Sequence, residues 1–134
     1  RHEYWLNNLD AQPEIAQVGI TEKEARAKGM KVQVMRKDFR SYGRTVADGH
    51  PEGFIKVVTD GRGRIHGATI VGEAASELIH EWTFAMQYGK GMRHILMMQH
   101  SFPSVSMINK MLAEDWMMKK MESSWMRRLM RMFL

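Results

Sequence analysis

Apolar residues recur with one period in the first half of the chain and with another in the second. Up to about residue 72 the recurrence is close to two, as in strands that bury one face, and beyond it three to four, as in helices. Residues 30–36 alternate, with Val32 and Val34 on one face and Lys31, Gln33 and Met35 on the other, and predict a half-buried strand. Residues 54–58 (F-I-K-V-V) and 65–71 (I-H-G-A-T-I-V) predict two more. The D-G-R-G-R between them predicts a hairpin turn, its glycines supplying positive φ. A short helix over 21–29 follows from Thr21 as N-cap, Glu24 three residues on as in a capping box, and Gly29 as the stop.

From Glu73 to Tyr88 the apolar positions Ala75, Leu78, Ile79, Trp82, Ala85 and Met86 lie on one helical face, and Gly89 follows as a C-terminal stop. A shorter helix over Met92–Met97 runs towards Pro103, and a last helical stretch extends from about Val105 to the end, with a break expected at Ser123-Ser124. Strands first and helices afterwards predict an α+β fold: an antiparallel sheet with helices packed on one face and an extra C-terminal helix.

At 134 residues the chain fits one domain, 1–134. No apolar run approaches the roughly 20 residues of a membrane span. The chain begins at Arg1 with no charged-then-apolar leader, so a fragment of a longer cytoplasmic protein is expected. Without cysteine it has no thiol nucleophile, redox disulfide or thiolate metal site of its own. Net charge is +5, with Lys119, Lys120, Arg127, Arg128 and Arg131 close together and the two signs mixed elsewhere, so a nucleic-acid partner is not expected. Of fourteen methionines, all but Met30 and Met35 lie from Met86 onward. Flexible, polarisable thioethers serve either as core filling or as an adaptable contact surface.

Motifs for independent catalysis fail on spacing. His80-Glu81 is followed by Phe84 where an H-E-x-x-H zinc helix needs its second His, so no metal is expected. G-R-G-R and G-K-G have neither of the phosphate-cradling glycine spacings, so this segment alone is expected to bind no nucleotide or flavin. Glu114 and Asp115 are adjacent on a helix and point apart. His66 reads as a strand residue rather than a ligand.

One pattern is spread along the chain. P-E-I-A-Q-V-G at 13–19, T-E-K-E-A at 21–25, G-F-I-K-V at 53–57, I-H-G-A-T-I-V-G at 65–72 with Glu77, and F-P-S-V-S at 102–106 together resemble the C-terminal dimerisation domain of the pyridine nucleotide-disulfide oxidoreductases. The resemblance spans about 13–113 and leaves 114–134 as an amphipathic helical extension. It implies a two-fold homodimer and a parent flavoenzyme whose FAD and NAD(P) are bound by domains of the same parent chain outside this segment. It also implies that a loop carrying His100, Phe102, Pro103 and Ser104 reaches the flavin of the partner subunit. The helices bearing Leu78, Ile79, Trp82, Met107 and Met111 would form the core and dimer contact. Where disulfide-reducing members have H-P-[TS]-x-S-E, Phe102 stands for the His and Met107 for the Glu, and neither side chain can move a proton. The string F-P-S-V-S-M is instead similar to that of the mercuric-reductase branch, although Ser104 stands where that branch has a metal-contacting Tyr. The fragment alone is expected to be inactive.

The alternative is a free-standing binding module. Met118, Met121, Trp125, Leu129 and Met132 line one face of the last helix and the basic residues much of the rest, a pattern suited to a partner's groove or an anionic membrane surface. The ordinary reading of the same face is packing on the domain or on its dimer mate.

Overall fold

The computed structural model describes the backbone of residues 7–9 and the whole of residues 14–42 and 52–133. Pro13, which opens the first of the quoted motifs, and the ends of the 1–134 domain lie outside them. Five strands form one antiparallel sheet: β1 (Asn7–Leu9), β2 (Ile15–Gly19), β3 (Gln33–Asp38), β4 (Gly53–Thr59) and β5 (Ile65–Gly72). They lie in the order β1-β2-β5-β4-β3. The helices are α1 (Glu22–Ala27), α2 (Ala75–Gln87), α3 (Met92–Met97) and α4 (Met107–Phe133). The class is the α+β class expected.

Alternation decides which face of the sheet is covered. Ala16, Val18, Met35, Ile55, Val57, Ala68 and Ile70 join a single cluster with Leu78, Ile79, Trp82 and Ala85 of α2 and with Ile108, Leu112 and Trp116 of α4. Burying Trp82 completely contributes on the order of 1.5–3 kcal/mol at area-based rates. The small α1 sits apart from this layer. Its Ala25 is buried outside the cluster, and its Glu22 reaches Lys56, whose neighbours Ile55 and Val57 point to the opposite face.

Helix ends are satisfied partly from a distance. Thr21 caps α1, accepting from the Glu24 amide at 3.1 Å and donating to the Glu24 carboxylate at 3.0 Å. α2 has no cap of its own, and Ala74 before it is left-handed at φ 64°. The Glu14 carboxylate ahead of β2 takes up the Ala74 amide and the Ser76 hydroxyl instead.

Several expectations need correction. The buried residue of the strand predicted at 30–36 is Met35, not Val32 or Val34, and the strand runs from Gln33 to Asp38. Register is the cause: Met35 stands opposite buried Val57, and Val34 opposite Val58 on the other face. In the β4–β5 turn only Gly63 has positive φ, at 89°, and Gly61 does not. The Asp60 carboxylate closes that turn by accepting from the Arg62 and Arg64 amides. α4 passes through Ser123-Ser124 unbroken, because serine costs a helix only tenths of a kcal/mol and its neighbours Met121, Glu122, Trp125 and Met126 tolerate it.

Candidate functional site: the loop between α3 and α4

Residues 98–106 join the end of α3 to the start of α4 and carry all four residues expected to face a flavin. His100 ties the loop to α2. Its Nε2 lies 2.6 Å from Glu81 Oε1 and its Nδ1 3.0 Å from the Met98 carbonyl, with the side chain only 1% exposed. Each ring nitrogen of His100 thus faces an oxygen, one on α2 and one in the loop itself. At the other end the Tyr42 hydroxyl donates to the Ser104 carbonyl. The Ser104 hydroxyl donates to the Ser101 carbonyl and meets the Ser106 hydroxyl at 2.9 Å.

Between these ties stand Phe102, 78% exposed, and Pro103, joined by a cis peptide bond. The loop thus holds an aromatic ring out to solvent at its tip and keeps its one imidazole inside. His100 cannot meet a reactant from that position, and Phe102 has no proton to give. Met107, in the first turn of α4, is half-buried against the core, as is Met111 one turn further. Leu78, Ile79 and Trp82 lie wholly inside the domain. Among the described residues no group of three His, Asp or Glu side chains could hold a metal ion.

Reading the sequence alone misses Glu81 as a loop anchor. The signal is its place on α2: three residues after buried Leu78 and four before buried Ala85, a carboxylate there needs a partner. The Tyr42–Ser104 link, across 62 residues of sequence, leaves no sequence signal.

A second feature is a cavity of about 660 Å³ between the β4–β5 turn, the start of α3 and the middle of α4. Arg62, Arg64, Arg93, His94, Trp116 and Lys120 are among its lining residues, which include no carboxylate. The Lys120 ammonium lies 5.0 Å from the centre of the Trp116 ring.

The sheet, the helices that cover it and the tethered loop make up one α+β unit. Residues 11–112 match the family described as "Pyridine nucleotide-disulphide oxidoreductase, dimerisation domain", and the chain belongs to it. It is 39% identical over 95 residues to a dihydrolipoyl dehydrogenase of Haloferax volcanii, covering 70% of this chain and 20% of that one. It is 32% identical over 105 residues to a dihydrolipoyl dehydrogenase of Bacillus subtilis, covering 78% and 22%. The chain therefore spans about a fifth of the length of these curated relatives. In fold it is similar to LpdA of Mycobacterium tuberculosis, with a TM-score of 0.79 at 23% identity over 87% of this chain and 26% of that one. The HOCl-induced flavoprotein disulfide reductase RclA of Escherichia coli, in its Cu(II) complex, gives 0.79 at 22% identity over 84% and 26%.

Proposed function

We propose that the chain is the interface domain of a cytoplasmic, FAD-dependent oxidoreductase fed by NADH or NADPH. It would join two subunits about a two-fold axis and lay loop 98–106 against the partner subunit's flavin. One observation carries this reading: the loop is fixed at His100 by Glu81 and at Ser104 by Tyr42, while Phe102 between them stands out in solvent. A tethered loop with an apolar tip is suited to closing a wall around a redox cofactor and keeping water from it.

Each residue then has a limited task. Phe102 and Pro103 supply the wall, and a backbone carbonyl beside them can accept a hydrogen bond whatever the side chain. His100 and Glu81 position the loop without touching the reacting atoms. Leu78, Ile79 and Trp82 hold the scaffold behind the contact, and Met107 and Met111 begin the helix that carries it. The residues here fit one wall of a flavin site and no more, because the described residues include no glycine loop to cradle phosphates. FAD supplies hydride and electron transfer when bound by the other domains of the parent.

With Phe102 and Met107 where a proton-exchanging pair would stand, the parent belongs to a mercuric-reductase-like branch and does not protonate a thiol through this loop. The F-P-S-V-S-M string supports that placement.

The test is made in the enzyme containing the flavin and nucleotide domains. Rapid mixing should show flavin reduction by NAD(P)H at an ordinary rate. Steady-state reduction of lipoamide or glutathione disulfide should be slower, by about 10²–10⁴-fold, than in relatives with His at this position. Efficient disulfide turnover by the unaltered enzyme would refute the assignment of the loop. Dimerisation is checked separately by light scattering on the 134-residue chain, where a monomer at every concentration would count against the interface.

A further inference from the structure

α4 has two halves with different surroundings. Its first half buries Ile108, Asn109, Leu112, Ala113 and Trp116 in the core. From Met118 to Phe133 every residue is exposed, so beyond the cavity edge at Lys120 this half extends away from the described body of the domain. It nevertheless carries Met118, Met121, Trp125, Met126, Leu129, Met130, Met132 and Phe133, each at least 41% exposed.

At 3.6 residues per turn these eight side chains fill roughly half of the helix circumference, with Met118 and Leu129 near the middle. Lys120, Arg127 and Arg131 occupy the opposite side. Lys119 and Arg128 lie near the two borders, where long basic side chains snorkel. Glu122, the only acid among residues 118–133, projects from within the same arc, between Leu129 and Phe133. The direction of the buried residues in the first half lies more than about 120° around the axis from the centre of the apolar arc. The described body of the domain therefore stands on the polar side, and none of the described residues outside α4 covers the apolar side.

Two occupants can be compared for that face. A second copy pairing as a two-stranded coil would cover a narrow seam through Met118, Met121, Trp125 and Met132 and leave Met126, Met130 and Phe133 in water. It would also set two helices with five cations and one acid apiece side by side. A flat anionic surface covers all eight apolar side chains at once and neutralises the five cations, and Glu122 is the one charge in the arc that it does not complement.

We propose that residues 118–133 lie on an anionic phospholipid surface, with the apolar arc at the boundary of headgroups and acyl chains and the domain standing on the water side. The site is distinct from loop 98–106 and does not depend on what that loop meets. The chain then attaches peripherally, since no described helix is long and apolar enough to cross a membrane.

The test is sedimentation of the 134-residue chain with vesicles of phosphatidylcholine mixed with phosphatidylglycerol, against vesicles of phosphatidylcholine alone. Binding to the mixed vesicles should be tighter by about tenfold or more and should weaken as added salt shortens the screening length. Arg127→Gln, Arg128→Gln and Arg131→Gln together should remove the preference for the anionic vesicles. Met121→Glu with Trp125→Glu should abolish binding to either vesicle. These positions are exposed, so circular dichroism should show unchanged secondary structure in both variants. Inorganic phosphate at matched ionic strength should not displace the chain. Displacement by phosphate would instead assign the binding to a small-anion site such as the cavity at Arg62, Arg64 and Arg93, and would overturn the proposal. Equal binding to both vesicle types, or none, would also overturn it. So would a dimer that Trp125→Glu converts to monomer without vesicle binding in the parent chain, since a second copy would then be the occupant.

Discussion

The Trp82 indole N–H donates to Asn109 Oδ1 at 2.8 Å in the centre of the domain, and Asn109 Nδ2 donates in turn to the Leu78 carbonyl at 3.1 Å. Both residues are fully buried. One amide thus fixes the register of α4 against α2, because neither helix can slide without leaving a polar group unpaired in the core. Asn109→Leu keeps the branched shape and heavy-atom count of the side chain but leaves the indole N–H without an acceptor, and should destabilise the domain by about 1–3 kcal/mol. Adding Trp82→Phe should cost less than the sum of the two single changes, since no donor is then left unpaired. Urea unfolding of the three variants measures this. Strict additivity would show that the bond does not couple the helices.

The tie between His100 and Glu81 makes a different kind of prediction, because it holds a loop rather than the core. His100→Ala should lower stability by about 1.5–3 kcal/mol, the range for a hydrogen bond to a charged group. Glu81→Gln retains an acceptor and should cost less. In both variants amide hydrogen exchange should quicken across 98–106 and remain slow in β4 and β5. Faster exchange everywhere, with none confined to the loop, would mean that the pair supports the fold rather than the loop.

The elements legible in the sequence are those in which burial and period coincide. The β4–β5 hairpin combines alternation with a turn that Asp60 and Gly63 dictate, and α2 carries an unbroken apolar face. β2 falls within a recognisable motif yet does not read as a strand, because its inward residues Ala16 and Val18 are small and its neighbour Ile15 is only half-buried. β1, with the sequence N-N-L, has no pattern to read and exists through its pairing with β2. The site divides in the same way. Pro103 and the family resemblance locate loop 98–106, but its two anchors come from positions 19 and 62 residues away. The amphipathic face of α4 is plain in the sequence. That its far half leaves the domain altogether is not, because periodicity reports which side is apolar and not what covers it.

Gly63 joins the hairpin turn to α4. Its φ is 89°, and a Cβ there would come within 2.5 Å of the Trp116 ring. Backbone strain and overlap act together, so Gly63→Ala should destabilise by about 1–3 kcal/mol and perturb the emission of Trp116. Gly61, two residues earlier, has nothing within 4 Å of the corresponding position and no positive φ. Gly61→Ala should stay within about 0.5 kcal/mol of the parent. Equal effects at the two glycines would show that the turn itself, and not its contact with Trp116, sets the cost.

Two carboxylates should shape the acid limb of the stability profile. At Asp60 partial burial acts to raise the carboxyl pKa, but the Arg64 and Arg62 amides and neighbouring His66 outweigh it and hold the group below its ordinary value. Hydrogen bonds from Lys56 and Arg26 lower Glu22 in the same direction. The unfolded chain takes up these protons near the ordinary carboxylate value of about 4, and the folded chain only at lower pH. Their contribution is therefore fully present above that value and is lost as pH falls through the depressed folded value. Asp60→Asn separates turn geometry from titration, because its Oδ1 can still accept from both amides but takes up no proton. The variant should melt at a lower temperature than the parent at neutral pH, and the gap should narrow as pH falls from about 5 to about 2. Thermal unfolding followed by circular dichroism across that range measures the gap. A constant gap would place the Asp60 contribution in the turn alone, and a widening gap would mean that folding raises the Asp60 pKa instead of lowering it.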